Sequence, residues 1–128
     1  MKLLLDTHTF IWWSGAPDKL SPKALALCQD ASNRVLLSVT SVWEMQIKHQ
    51  LGKLRLDLPL GDLISEQREI NRIEVLPITL PHVLVLESLP SHHKDPFDRL
   101  LIAQANSEGA VLVTKDPAFE EYPVKLIW

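Results

Sequence analysis

Cysteine is nearly absent, Cys28 standing alone among 128 residues. A lone thiol excludes a disulfide framework and any thiolate-rich zinc or iron–sulfur site, and it fits a cytoplasmic address. Glycine is scarce, with four residues, and the nine prolines are scattered, so collagen-like and low-complexity architectures are excluded. No apolar run approaches the roughly 20 residues that span a bilayer, so no membrane partner is expected. The opening Met-Lys-Leu-Leu-Leu resembles a secretion signal only until Asp6 and His8 interrupt it, and it reads as a first strand. Positive charge is not in excess either. Thirteen Lys and Arg against sixteen Asp and Glu leave a net charge of −3, which argues against a simple nucleic-acid-coating module. An enzyme that meets phosphates through metal ions and a few local bases remains open.

What is present suffices for one core. Hydrophobic residues make up 46% of the chain, and the length suits a single domain over residues 1–128. Strand and helix patterns alternate. Lys2–Leu5 is a short apolar run ending at Asp6, and Thr9–Trp13 suggests a helix stopped by Gly15 and Pro17. Ser21-Pro22 pairs an N-cap with proline at the first helical position, leading a helix over Lys23–Ala31. Arg34–Val39 predicts strand two, and a helix follows from about Ser41 to Gly52. Leu54, Leu56, Leu58 and Leu60 recur at period two and predict an extended stretch ended by Gly61-Asp62. A helix near Leu63–Asn71 precedes a third strand at Glu74–Leu76, and Thr79 caps a helix through Leu86. Asp95-Pro96 starts a helix ending at Gly109, followed by strands at Ala110–Thr114 and Val124–Ile127. Strands separated by helices imply an α/β fold with a parallel sheet flanked by helices.

Four acids stand out by position. Asp6 ends strand one, Glu44 lies in the first turn after strand two, Asp98 opens the helix before strand four, and Asp116 follows that strand. In right-handed crossovers, helix N-termini and strand C-termini share one edge of the sheet, where α/β proteins place ligands. Each acid also has a purely structural explanation. Ser41-Val-Trp-Glu44 fits a capping box, Asp98 a helix-dipole acid behind the Asp95 cap, and Asp6 and Asp116 Asx turns or short caps. Glu44 could pair with Lys48 at i, i+4. Helical phase weakens the structural explanation for Asp98, since Leu101, Ile102 and Ala105 place it in line with a core stripe. Glu44 flanks a stripe of Trp43, Ile47 and Leu51 in the same way. Several acids turned toward one edge need positive charge, and Lys48 answers one at most. A divalent metal is the simpler partner.

These segments resemble the PIN-domain nucleases, and within them the VapC-type toxins. The resemblance rests on Leu-Leu-Leu-Asp6-Thr7, Ser38-Val-Thr-Ser-Val-Trp-Glu44, Asp95-Pro-Phe-Asp98-Arg99-Leu-Leu-Ile-Ala-Gln-Ala and Leu112-Val-Thr-Lys-Asp116, in that order over essentially the whole chain. It implies a PIN-like three-layer fold whose five-stranded parallel sheet has strand order 3-2-1-4-5. It implies a Mg²⁺- or Mn²⁺-dependent endoribonuclease with Asp6, Glu44, Asp98 and Asp116 as catalytic and metal-ligating quartet. The expected products carry a 5′-phosphate and a 3′-hydroxyl. A homodimer and a small antitoxin are the implied partners beside the RNA substrate. On chemical grounds Asp6 and Asp98 are the main ligands, Glu44 is a ligand or a positioner of the attacking water, and Asp116 joins through water. Thr7, Ser41 and Thr114 can hydrogen-bond substrate or ordered water, or serve as cap and strand-end hydroxyls. Asp95 stays outside the quartet because its cap role explains it.

Other residues carry less. His92-His93-Lys94 could contact RNA, though a solvated loop explains them. His8 could line the site or start a helix. Lys48, Lys53, Arg55, Arg99 and Lys115 could form a phosphate track or a solvated face. Trp12 and Trp13 are adjacent and cannot face the same core direction; Cys28 reads as a buried small hydrophobe. Two other function classes fit some features. One is a catalytically inactive PIN-like module binding RNA or protein. The other is a receiver-like phosphoacceptor, which needs paired acids after strand one where only Asp6 stands.

Overall fold

The computed structural model describes residues 1–91 and 95–128, so His92, His93 and Lys94 lie outside the described residues. Five parallel strands build one sheet. They are β1 (Lys2–Leu5), β2 (Arg34–Ser38), β3 (Glu74–Leu76), β4 (Val111–Val113) and β5 (Leu126–Ile127), in the order β3-β2-β1-β4-β5. β1 lies centrally, Leu3 pairing with Val35 on one side and Val111 on the other. A receiver sheet instead sets its first strand beside the third; here β1 sits between β2 and β4. The order matches the one that the PIN resemblance implies.

Alternation along the strands splits the apolar residues into two cores. Leu3, Leu5, Val35 and Leu37 face one side, against Phe10, Trp13 and Met45 of α1 (Thr7–Gly15) and α3 (Val39–Gln50) and Ala24 and Cys28 of α2 (Pro22–Gln29). α4 (Leu60–Ile70) packs on that core through Leu60, Leu63 and Ile64. Leu4, Leu36 and Leu112 face the other side, against Leu101, Ile102 and Ala105 of α6 (Pro96–Glu108), and α5 (Leu80–Val85) packs on α6. Each fully buried Leu or Ile contributes about 1.5–3 kcal/mol relative to exposure. The two cores fix the sheet between its helical layers.

Helix boundaries follow the capping chemistry. Ser21 Oγ accepts from Ala24 N at 3.0 Å, with Pro22 behind it. Asp95 Oδ1 accepts from Phe97 N at 2.9 Å and Asp98 N at 3.4 Å, and Gly109 ends α6 at φ 65°, where an L side chain is strained. Thr79 caps α5 in a capping box with His82. Three expectations are corrected. α1 begins at Thr7, immediately after its Asp6 cap. α3 begins at Val39, because Ser38 Oγ accepts from Thr40 N at 2.9 Å and so serves as the cap that Ser41 was expected to be. α4 begins at Leu60, which puts Gly61 and Asp62 inside its first turn. Residues 54–59 are irregular and pair with no strand, although Leu54 still reaches the first core.

Candidate active site

The carboxyl edge of the sheet holds the acids. Asp6, Glu44, Asp95, Asp98 and Asp116 all line one small cavity of about 120 Å³, together with Thr7, His8, Lys48 and Phe119. The fold therefore brings together all four acids singled out from the sequence. It adds Asp95, whose cap role uses only Oδ1 in the hydrogen bonds above.

Asp6 is 6% exposed and held at both oxygens. Oδ1 accepts from Thr9 N at 2.7 Å, and Oδ2 accepts from Thr114 Oγ1 at 2.5 Å. Thr114 Oγ1 in turn accepts from Asp116 N at 3.0 Å, so one hydroxyl at the end of β4 ties two acids together. Asp116 Oδ1 accepts from Ala118 N at 2.9 Å and caps a short 3₁₀ turn at Pro117–Glu121. Glu44 is also buried. Thr7 Oγ1 donates to Glu44 Oε1 at 2.7 Å, and Lys48 Nζ lies 2.7 Å from Oε2. Thr7 Oγ1 is also 3.0 Å from Ser41 Oγ. Thr7 and Thr114 thus act first on the acids, and Ser41 supports Thr7.

The shifted start of α3 moves Glu44 into the second turn, so the capping-box explanation for it fails. The expected Trp43–Ile47–Leu51 stripe fails as well. Trp43 and Leu51 are 56% and 64% exposed, and the buried face is Thr40, Ser41, Glu44 and Met45. Glu44 sits on the inner face itself, a stronger placement than the flank that the pattern suggested. For Asp98 the expected phase holds, with Leu101, Ile102 and Ala105 buried.

Arg99 does not join a phosphate track. Its Nη1 donates to Pro90 O at 2.6 Å and its Nη2 to Leu86 O at 3.3 Å, pinning the preceding loop to α6. Lys48 is paired with Glu44, while Lys53, Arg55 and Lys115 are exposed. Cys28 is buried, and burial pushes its thiol up to about 11. Trp13 is buried and Trp12 half-buried, so the adjacent rings do diverge.

One polar device escaped the sequence reading. Gln104 of α6 is fully buried, its Oε1 accepting from Ser38 Oγ and, at 3.1 Å, from Thr40 Oγ1. Its Nε2 donates to Pro77 O at 3.3 Å and lies 3.3 Å from His82 Nδ1, and His82 Nε2 meets Glu108 Oε2 at 2.9 Å. Gln104 therefore braces α6, which carries Asp98, against the start of α3, which carries Glu44. The available signal was a glutamine three residues after Leu101, within the apolar face.

The acids supply oxygen donors, the ligands that hard divalent cations prefer. Among the described residues no three acid, histidine or cysteine side chains converge as a ready-made ligand group. An ion here would take one or two carboxylates directly and the others through water, which is how Mg²⁺ is commonly held. On those terms the residues fit such an ion.

A sheet with this strand order, flanked by helices and gathering carboxylates at its carboxyl edge, defines a PIN-type α/β domain. Residues 3–125 match the PIN domain family, and the chain belongs to that family. It is 30% identical over 115 residues to Ribonuclease VapC22 of Mycobacterium tuberculosis, covering 89% of this chain and 86% of that protein. In fold it is similar to VapBC2 from Rickettsia felis bound to a promoter DNA fragment. The TM-score is 0.73 at 17% identity, over 99% of this chain and 98% of that one. It is likewise similar to VapBC-1 from nontypeable Haemophilus influenzae, with TM-score 0.63 at 19% identity, over 99% and 97% of the two chains. Among the described residues no helix is long and apolar enough to cross a membrane.

Proposed function

We propose that this chain, as a single domain over residues 1–128, is a metal-dependent endoribonuclease and the toxin of a toxin–antitoxin pair. The observation that carries the reading is the cavity at the carboxyl edge, where, among the described residues, Asp6, Glu44, Asp95, Asp98 and Asp116 line one space. Carboxylates gathered in this way supply the oxygen ligands that a divalent cation takes, and a nucleic-acid phosphate can then approach that cation. Ribonuclease VapC22, similar over most of both chains, supports the choice of RNA.

Asp6 and Asp98 are the residues that would hold Mg²⁺ or Mn²⁺, with Glu44 and Asp116 joining directly or through water. When bound, such an ion lowers the pKa of a water nucleophile and offsets charge on the scissile phosphate. The chain supplies the positioning. Thr9 N and the Thr114 hydroxyl fix both oxygens of Asp6, so its carboxylate is set before any ligand arrives. Thr7 and Lys48 fix Glu44, which orients the attacking water. Gln104 keeps the two acid-bearing helices at a constant spacing. Hydrolysis in this manner leaves a 5′-phosphate and a 3′-hydroxyl.

The two VapBC assemblies support an antitoxin as partner. A groove of about 220 Å³ between α1 and the 54–59 segment, lined by Ile11, Leu56, Leu58 and Leu63 and by the charged Arg55, Asp57 and Glu66, suits an amphipathic antitoxin segment. Leu80, Val83 and Leu84 leave α5 an exposed apolar face consistent with a homodimer. The functional test is digestion of single-stranded RNA by purified protein. Cleavage with Mg²⁺ or Mn²⁺ that stops on adding EDTA is expected; cleavage unaffected by EDTA overturns the reading.

A further inference from the structure

A second cleft, of about 420 Å³, opens beside the acid cavity and is lined by Asp6, His8, Trp12, Lys115, Asp116 and Pro117. Asp6, His8 and Asp116 line both spaces, so the two are contiguous. Its lining differs in kind from that of the acid cavity. Trp12 packs edge-on against Trp128, ring centres 6.0 Å apart, and lies 5.9 Å from the His8 ring at a tilt of 49°. Trp12 is half-buried and His8 exposed. An indole, an imidazole and a proline ring thus line the cleft, together with the two carboxylates that it shares with the acid cavity.

The charges select the occupant. Without a cation, Asp6 and Asp116 disfavour a phosphate in the cleft, and with one they hold it at the acid-cavity end, whereas a neutral planar heterocycle meets aromatic surface in either state. Lys115, also in the lining, supplies one cation for a phosphate passing the rim. Single-stranded RNA presents that combination, a neutral ring set off from a charged backbone, and proteins take such bases on aromatic side chains. We propose that this cleft is a nucleobase subsite, holding the base next to the scissile phosphate against Trp12 and His8 while Lys115 meets the adjoining phosphate. The assignment rests on the ribonuclease reading for its substrate, but the subsite can be tested without cleavage.

Indole N–H resonances of the ¹⁵N-labelled protein report on Trp12 separately from Trp13, Trp43 and Trp128. Adding nucleoside 5′-monophosphates should shift Trp12, and adding ribose 5-phosphate at equal concentration should leave it in place. On an RNA hexamer, Trp12→Ala should raise KM about 5- to 150-fold, the worth of one stacked base. Trp12→Phe, which keeps a ring, should recover most of that loss even if Trp12→Ala folds poorly. Lys115→Ala should make binding of the hexamer less steeply dependent on salt. Equal shifts with ribose 5-phosphate, or none with any nucleotide, would overturn the subsite. So would a Trp12 resonance that responds only to an antitoxin peptide, since the cleft would then be a protein-docking surface. A Trp12 shift specific to nucleotides in a protein that cuts no RNA would leave the subsite standing and overturn the ribonuclease reading instead.

Discussion

At the amino edge of the sheet, Glu74 at the start of β3 receives a two-point ion pair from Arg34 at the start of β2, Nε at 3.0 Å and Nη2 at 2.9 Å. Nearby, Asp30 accepts from Ser32 N at 2.9 Å and from its hydroxyl at 2.8 Å. Both acids are exposed. The Arg34 hydrogen bond holds Glu74 below the usual carboxylate range, and the Ser32 backbone N–H and hydroxyl do the same for Asp30. At the carboxyl edge Asp6 and Glu44 are buried, their hydrogen-bond donors are mostly neutral hydroxyls and amides, and Lys48 lines the cavity beside Glu44. Local pairing completes the amino-edge acids, so removing one changes little. At the carboxyl edge Asp6 is oriented by Thr9 N and the Thr114 hydroxyl rather than by a cation, as suits a site built to receive one.

The largest effect that follows is on activity. Asp6→Asn keeps the shape but loses charge at the acid gripped from both sides, and RNA cleavage should fall about 100-fold or more. A variant that retains most of its rate would erase the distinction between the edges. Next comes the response to metal. With Mn²⁺ at a hundred times its Kd, binding only to the folded site should stabilise the protein by about 2.7 kcal/mol, read as a rise in Tm against an EDTA control. Absence of any rise would place the ion elsewhere or nowhere.

The brace between the acid-bearing helices predicts a smaller change. Gln104→Leu leaves buried groups at Ser38, Thr40 and Pro77 without their partner and should cost about 2 kcal/mol in urea unfolding. Unchanged stability would mean that the network is dispensable. The effect confined to the narrowest conditions, alkaline pH, lies at Cys28, near the amino edge. Its folded-state pKa is raised from 9.0 to about 11. The unfolded thiol ionises first, so this contribution is intact below pH 9 and is lost as pH rises toward 11. Cys28→Ala should therefore lose stability less steeply than wild type between those values, which pH-dependent melts can check.

The carboxyl edge was more legible in the sequence than the helices that form it. Asp6, Asp98 and Asp116 sit at strand ends and helix starts, which parallel topology sends to one edge whatever the tertiary detail. The cap at Asp95 and the stop at Gly109 were equally readable, being local chemistry. The sequence puts Glu44 in the wrong turn because Ser38 and Val39 read as the end of strand two, which leaves Ser41 as the first cap, whereas Ser38 itself caps α3. The Trp43–Leu51 stripe misled because an exposed tryptophan weighs the same in a periodicity as a buried one. Trp43 instead lies against Phe97, ring centres 5.1 Å apart, on the outside. Gln104 was illegible for another reason: its partners come from β2, α3 and the loop after β3, and no spacing within one segment records them.

The most direct test sets the two edges side by side. Cleavage of single-stranded RNA with saturating Mg²⁺ or Mn²⁺ is measured for wild type, Asp98→Asn and Glu74→Gln, each first shown to be folded. Wild-type rates for Glu74→Gln and nearly complete loss for Asp98→Asn are expected. Undiminished cleavage by Asp98→Asn would contradict the assignment of the carboxyl-edge acids as the catalytic centre.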